Sequence, residues 1–365
     1  MNIQILNFKF QIIALVVLAT LSVVGSILLS LSPAAGFYKL IKIVELTFFG
    51  FIIAKNINTK KDFIVVASLF AAGIIFESFL AIWQFINQSS IGGIFWFFGE
   101  RTFSGQTVGI ANANIDGQLI LRPYGTFPHP NVLAGYLTIA LAMVISNFQF
   151  PISNFKKALF IAVLTIGTVA LFLTLSRVAI IVWVAVMGLW FLINLRKFLF
   201  IGLLVVLVFI GSIIFSPLSS RFMSLATVDK ESFILRQQLN NSAIEMFKQS
   251  PVWGVGLNNF LMNLPRYQKP QAGPLWLQPV HNIFLLVAAE TGLIGLLFFA
   301  WFISRTVIKL RKKKEFQISN FKFQILIIIF VLGLFDHYFW TLQQGQLLLA
   351  LVFGLCWSKK VQETG

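Results

Sequence analysis

Charged side chains are scarce in this chain of 365 residues, where only 11% of the residues are charged and 58% are hydrophobic. A soluble globular domain usually carries about a quarter of charged residues. So few charges exclude an ordinary soluble globule, because its surface would be mainly apolar. The composition therefore predicts a polytopic membrane protein.

Cysteine and several common catalytic motifs are also missing or nearly so. The single cysteine, Cys356, lies in an apolar run, which excludes a disulfide framework and a thiolate metal site. None of the 12 acidic residues forms an Asp-x-Asp pair, the usual carboxylate clamp for the metal ion of a nucleotide sugar. The Walker, His-Glu-x-x-His and Gly-x-Ser-x-Gly motifs are absent too. We expect no metal and no cofactor, and ATP-driven transport, zinc hydrolysis and serine hydrolysis are disfavoured.

Long apolar runs, by contrast, are abundant. A transmembrane helix needs about 17–25 apolar residues, and such windows recur along the chain. They cover residues 10–31, 40–54, 63–85, 132–148, 158–175, 178–195, 198–215, 281–303, 324–335 and 340–357. The first is longer than the ~7–15 residue core of a signal peptide, so we expect a retained helix. The sequence predicts an all-α integral membrane protein with about ten transmembrane helices, the ninth short, forming a single membrane domain over residues 1–365.

Basic residues outnumber acidic ones 28 to 12, and their placement indicates topology rather than a nucleic-acid partner. They cluster at every second helix end, and such ends are cytoplasmic by the positive-inside rule. The clusters are Lys55 with Lys60 and Lys61, Lys156 with Lys157, Arg196 with Lys197, 305–314, and Lys359 with Lys360. Both termini are then cytoplasmic, and loops 87–130 and 216–280 are extracytoplasmic. Lys39 and Lys42, placed in a short outer loop, are the exceptions.

The larger outer loop is expected to carry its own helix over residues 230–249. Its apolar residues Leu235, Leu239, Ala243 and Met246 follow helical spacing. Ser250-Pro251 should end this helix, and Gly254-Val-Gly256 should form a tight turn. The helix is expected on the membrane surface or across the mouth of the bundle, with Arg236 beside the apolar stripe.

Arginine and histidine on the predicted outer side are the remaining candidates for chemistry. Arg177 begins a helix at the outer boundary, where a charge is costly and usually functional, although a snorkelling anchor is the alternative. His281 lies where the large loop re-enters the membrane, and it is either a proton acceptor or a helix-capping or interfacial residue. Glu290, nine residues on, needs a partner, which is either an arginine or a hydrogen bond within the bundle. Asn131, after three prolines, is expected to cap the next helix, in a rigid loop that caps the bundle or walls a head-group cavity.

Five segments together resemble the O-antigen ligase and polymerase superfamily of bacterial inner membranes. The specific part spans residues 124–295, and the flanking helices match only in being apolar. The segments are Gly125-Thr-Phe with Asn131-Val-Leu-Ala, Ser176-Arg177, Arg236, Pro251-Val-Trp-Gly-Val-Gly-Leu-Asn-Asn-Phe260, and His281-Asn-Ile-Phe-Leu with Glu290-Thr-Gly-Leu-Ile-Gly295. The chain departs from the family in having about ten helices rather than about twelve, and in carrying Gln238–Asn241 where relatives often have an aromatic residue.

The resemblance implies a metal-independent, inverting glycosyltransferase with its active site on the outer face of the cytoplasmic membrane. It would move a glycan from an undecaprenyl-pyrophosphate carrier to a glycan, lipid or protein acceptor. By position, Arg177 and Arg236 would hold the pyrophosphate and His281 would activate the acceptor. Residues in possible supporting roles are Asn131, Asn282, Glu290, Gly254 and Gly256. Alternatives are a glycan polymerase, a protein O-oligosaccharyltransferase, or a non-catalytic exporter of lipid-linked glycans.

Overall fold

The computed structural model describes residues 20–115, 117–146, 154–192, 230–268, 277–311 and 316–358. These residues are mainly helical. Their helices are α1 (20–28), α2 (Pro33–Asn56), α3 (Lys60–Asn87), α4 (Pro130–Ser146), α5 (Asn154–Leu173), α6 (Arg177–Leu192), α7 (Lys230–Gln249), α8 (Phe260–Asn263), α9 (Ile283–Arg311), α10 (Phe316–Gly333), α11 (Tyr338–Thr341) and α12 (Gln343–Trp357).

Three of these helices are long and apolar enough to cross a membrane, namely α3, α5 and α9. Four shorter apolar helices, α4, α6, part of α10 and α12, accompany them. The prediction of a mainly helical membrane protein is thus supported. The count of about ten spans stays a prediction, and the window 198–215 lies outside the described residues.

A short antiparallel hairpin lies in the loop between α3 and α4, and the all-α prediction did not include it. Its strands are β1 (Asn112–Ile115) and β2 (Gln118–Leu121), with Asn112 opposite Leu121. A 3₁₀ turn over Gly93–Phe98 precedes the hairpin. Four-residue strands give too little alternating pattern to separate from loop in a sequence.

The chain divides into two compact units, and each is described by itself. The first contains the described residues within Met1–Asn56, Glu231–Phe323 and Gly333–Ser358. The second contains those within Ile57–Lys230 and Gln324–Leu332. The single-domain assignment stays a prediction.

In the first unit α2 packs against α12. Because α2 begins at Pro33, Lys39 and Lys42 lie inside this helix, and their placement in a short outer loop was wrong. Lys39 is buried, whereas Lys42 forms an ion pair with Glu45 on the same helix. The helix therefore starts earlier than its apolar window, since two lysines one turn apart do not interrupt a helix.

Helix α7 of the first unit has the bounds predicted from the sequence, and it ends before Ser250-Pro251. Its stripe residues Leu239, Ala243 and Met246 are almost completely buried, and Leu235 is partly buried against them. They pack with residues that follow α7 in the chain, namely Phe260, Leu264, Val280, Leu286 and Ala289. The apolar face of α7 is thus used for packing within the protein.

The second unit is built on contacts among α3, α4 and α5. Helix α3 begins with a capping box, in which Thr59 accepts from the backbone of Asp62 and the Asp62 carboxylate accepts from the backbone of Thr59. Helix α4 is buried along nearly its whole length and contains no charged residue. That composition fits a helix surrounded by protein on all sides.

Two buried polar residues of α3 hold the loop that leads to α4. The Gln84 side-chain oxygen accepts from the backbone N–H groups of Tyr124 and Gly125, at 2.9 and 2.8 Å. The Glu77 carboxylate accepts from the backbone and hydroxyl of Thr126, at 3.0 and 2.5 Å. The Gly-Thr segment of the loop is therefore fixed by side chains on α3.

Candidate functional site

His281 lies directly before α9, and Asn282 caps this helix. The side-chain oxygen of Asn282 accepts from the backbone N–H groups of Phe284 and Leu285, at 2.9 and 3.1 Å. This is the usual arrangement of a helix N-cap. The predicted window 281–303 therefore starts two residues too early, since α9 begins at Ile283. With the cap provided by Asn282, the imidazole of His281 is available for chemistry.

Asp336 and His337, which follow α10, lie beside the imidazole of His281. Its Nδ1 lies 3.7 Å from Oδ1 of Asp336, and its ring centroid lies 5.1 Å from that of His337. The first distance is longer than a hydrogen bond. His337 is held in place by its backbone N–H, which donates to Asp336 at 2.8 Å, and by its Nδ1, which is 2.7 Å from the Thr341 hydroxyl. The result is a compact group of two imidazoles and one carboxylate.

Burial lowers the pKa of His337 to about 4. The Asp336 carboxylate opposes this shift, and electrostatic interactions with His281 and Arg236 reinforce it. His337 is consequently neutral near pH 7. Arg236, a half-buried residue of α7, thus interacts electrostatically with His337.

The cluster could also accommodate a cation. Potential ligand atoms of His281, Asp336 and His337 all lie within 4.8 Å of one another. Two imidazoles and a carboxylate form a donor set suited to several transition metals. The prediction that the protein needs no metal therefore calls for a direct test.

Glu290 is buried near the end of the first part of α9. Its carboxylate accepts from the indole N–H of Trp340 at 2.9 Å and interacts electrostatically with Lys39. Lys39 in turn lies 4.9 Å from the centre of the Trp340 ring and donates to the Trp340 carbonyl. Of the two predicted kinds of partner, the described residues thus provide a hydrogen bond within the protein.

Helix α9 is broken at Gly292, whose φ of 66° and ψ of −165° are not helical. At the break, backbone N–H and C=O groups of α9 form hydrogen bonds with the loop after α7 instead of with each other. The N–H of Leu293, which would bond to the carbonyl of Ala289 in a regular helix, donates to Pro251 at 2.7 Å instead. The Ala289 carbonyl accepts from Val255 at 2.8 Å. The loop therefore replaces the hydrogen bonds that the break removes.

The Glu290 carbonyl is satisfied in the same way. It accepts from the backbone N–H of Gly256 at 3.1 Å and from the hydroxyl of Ser26 at 2.9 Å. The break lets the first part of α9, which begins beside His281, take a direction of its own. The docked loop fixes that direction.

Two glycines make the close contact between loop and helix possible. A β-carbon added at Gly292 would lie 2.3 Å from the carbonyl oxygen of Val252, and one at Gly254 would lie 2.4 Å from the carbonyl carbon of Glu290. Gly254 and Gly256 have φ values of 69° and 112°, a backbone that glycine adopts readily, and the turn itself lies just before them, over residues 251–253. Whether they also support substrate binding stays a prediction.

The second unit contains Arg177, at the start of α6. The turn before it, at Thr174, is tied to the loop before α4 through Arg122. Arg122 donates through Nε to the Thr174 carbonyl at 2.7 Å and through Nη2 to the side-chain oxygen of Asn131 at 2.6 Å. Arg122 thus positions the segment that precedes Ser176-Arg177.

The expectation that Asn131 caps α4 was wrong. Pro130 is already the first residue of the helix, and His129 precedes it. The Nδ1 atom of His129 accepts from the backbone N–H of Asn131 at 3.1 Å, so His129 is the capping residue. Proline favours the first helical position because it has no N–H to satisfy and its φ is already helical. Asn131 is left to accept from Arg122.

The predicted site residues fall into two sets. Arg236, His281, Asn282, Glu290, Gly254 and Gly256 belong to the first unit, and Asn131 and Arg177 belong to the second. The sequence did not single out Asp336, His337, Trp340, Lys39 or Arg122 as candidates. Asp336 and His337 could have been found in the sequence, because an acid stands directly beside a histidine at an outer helix boundary. The signal for Arg122 was its place at the start of the loop containing three prolines.

Residues 158–300 match the family model described as O-antigen ligase. The match includes the segments containing Arg177, Arg236, Gly254, His281 and Glu290. It does not extend to Asn131 or to Asp336 and His337. No curated protein matches the chain.

Proposed function

Through residues 158–300 the chain belongs to the O-antigen ligase superfamily, and from this premise we propose that it is a membrane glycosyltransferase. It moves a glycan from an undecaprenyl-pyrophosphate carrier to an acceptor hydroxyl, with inversion at the anomeric carbon. Ligases and polymerases of this family act on lipid-linked glycans. The donor, the carrier and the residue roles below are part of the proposal.

The observation that carries the proposal is the position of His281 beside Asp336 and His337. In the proposed reaction the acceptor oxygen attacks the anomeric carbon, and the bond from that carbon to the pyrophosphate breaks. The acceptor proton passes to Nε2 of His281, because Nδ1 faces Asp336. Asp336 stabilises the imidazolium that forms, as a carboxylate beside a histidine base does.

Arg236 and Arg177 are proposed to hold the departing pyrophosphate. A guanidinium is planar and can donate two parallel hydrogen bonds to phosphate oxygens. Fixed positive groups stabilise the negative charge that develops on a leaving group. Arg236 provides such a group in the first unit, and Arg177 is assigned the same role in the second.

The location follows the alternating basic clusters of the sequence. We expect an inner-membrane protein with both termini cytoplasmic and the active site on the outer face. Reporter tags at Lys314 and Lys360 should be cytoplasmic, and a tag at Gln271 should be extracytoplasmic. A cytoplasmic Gln271 would contradict the assignment of the site to the outer face.

Ligase, chain polymerase and protein O-oligosaccharyltransferase reactions differ in the acceptor alone, so one experiment separates them. Purified protein is given a lipid-pyrophosphate glycan together with a lipid-linked, a saccharide or a peptide acceptor, and the products are identified by mass spectrometry. We expect a new glycosidic bond with one acceptor class. A protein that makes no product with any acceptor, and moves the lipid-linked glycan across vesicles, would be the exporter instead.

The same reaction tests whether a metal is needed. Because positive charge on the leaving group is assigned to arginine, EDTA should leave product formation unchanged. Added Zn²⁺ should inhibit, since it would bind the imidazoles of His281 and His337 and block the base. Loss of activity in EDTA with recovery on adding a divalent ion would contradict metal independence and would assign the cluster to a metal.

A further inference from the structure

A polar cavity lies on the first unit, beside the loop that docks onto α9. Its volume is about 440 Å³, within the range typical of small-molecule sites. Its polar and aromatic lining residues are Gln249, Ser250, Trp253, Asn263, Arg266 and Tyr267. His281, Asp336, His337 and Arg236 do not line it, so it is separate from the proposed catalytic cluster.

The aromatic rings of this cavity are suited to packing against a sugar ring. Trp253 is 37% exposed, and its ring lies against Gly25, where an added β-carbon would be 2.9 Å from a ring atom. Tyr267 is partly buried against the core beside α7, and its hydroxyl donates to Gln249 at 2.9 Å. Aromatic side chains with one apolar face and one polar edge are favoured at sites that are partly wet.

The charge of the cavity indicates the kind of sugar. Of the described residues that line it, Arg266 is charged and none is acidic. Among the described residues no ion pair occupies the Arg266 guanidinium. A guanidinium prefers carboxylate and phosphate groups, which it binds with two hydrogen bonds.

The wall of the cavity is held rigidly. Pro251 and Gly254 line it, and both belong to the loop that exchanges hydrogen bonds with α9 at Gly292. Asn263, a buried residue of α8, also lines it and donates to the Asn259 carbonyl at 2.9 Å. A preformed wall lowers the entropy that a ligand must lose on binding.

We infer that this cavity binds a sugar unit bearing a carboxylate or phosphate group, in the glycan that the enzyme transfers or in the one that accepts it. The inference rests on the proposed function for the origin of the sugar, while binding itself can be measured without turnover. Trp253 and Tyr267 contact the ring of the sugar, and Arg266 binds its anionic group.

The binding test uses soluble trigalacturonate as the anionic probe and maltotriose as the neutral one, with titration calorimetry on the full chain in detergent. Trigalacturonate should bind, and maltotriose should bind more weakly. Arg266→Gln should weaken trigalacturonate binding by about tenfold or more, the loss expected for a charged hydrogen bond. Trp253→Ala should also weaken it, and Trp253→Phe, which keeps a ring and the packing on Gly25, should weaken it less.

Arg311→Gln, an exposed arginine at the far end of α9, is the matched control and should bind normally. No binding of trigalacturonate, equal binding of maltotriose, or equal binding by Arg266→Gln and Arg311→Gln would overturn the inference. The Arg266 variant keeps the test decisive even where Trp253→Ala fails to fold.

Two further measurements separate this inference from the proposed function and identify the source of the sugar. His281→Ala should bind trigalacturonate as the unaltered protein does. If the unaltered protein binds trigalacturonate but transfers no glycan, the cavity assignment stands and the proposed glycosyltransferase activity is wrong. In the transfer reaction with an anionic glycan, Arg266→Gln should raise KM for the acceptor alone or for the donor alone, which assigns the bound sugar. An unchanged KM for both would overturn the inference.

Discussion

His281→Ala should reduce glycan transfer by about 10²–10⁴-fold, the range typical of a lost acid-base group. The reason is that the acceptor hydroxyl would lose the only proton acceptor assigned to it, while Asn282 would still cap α9. Initial rates with lipid-pyrophosphate glycan measure the loss. Binding of the donor to the same variant should be unchanged.

The matched control for this substitution is His129→Asn. His129 caps α4 in the second unit, and asparagine is itself a preferred capping residue. This variant should keep nearly full activity. Unchanged transfer by a folded His281→Ala protein would contradict the role of His281 as the base. Only the family assignment would then remain. An exporter would form no glycosidic product with either protein, and its export would survive the substitution.

Arg236→Ala should lower transfer by about 10²-fold or more, the loss seen when one group that stabilises developing negative charge is removed. Arg236→Lys should recover only a small part of the activity, because an ammonium cannot reproduce a two-pronged contact with phosphate oxygens. Rates at saturating acceptor, measured for both variants, give the comparison.

Lys248→Ala serves as the control for charge on the same helix. Lys248 is exposed on α7, where it forms an ion pair with Glu245. Its loss should leave the rate unchanged, since exposed ion pairs contribute little. Near-normal transfer by Arg236→Lys would show that position 236 supplies positive charge without a specific geometry, contrary to the proposal.

Local features of the fold could be predicted well from the sequence. The bounds of α7, its buried stripe and the positive φ values of Gly254 and Gly256 depend on spacing, on proline and on glycine, all of which act within a few residues. The start of α4 was predicted less well. There Pro130 and His129 compete with Asn131 for the first turn, and a rule that considers capping residues one at a time selects the wrong residue.

Features that depend on distant parts of the chain could not be predicted in this way. His281 is separated from Asp336 and His337 by more than fifty positions, and Lys39 by about three hundred from Trp340, while no periodicity connects them. The separate assignments of Glu290 and of the Gly-Val-Gly turn likewise gave no hint that they meet. Packing of apolar helices decides those contacts, and apolar composition alone does not specify which helices are neighbours.

The exchange of hydrogen bonds at Gly292 makes the shape of α9 depend on the loop that follows α7. An unpaired carbonyl in an apolar medium costs several kcal/mol, so α9 by itself is most stable as an unbroken rod. Residues 251–256 are synthesised before α9 and reach their final partners only once that helix exists. The bend and the docked loop therefore stabilise each other, since each provides the hydrogen-bond partners that the other needs. A chain lacking that loop would be expected to insert α9 straight and to aim His281 elsewhere.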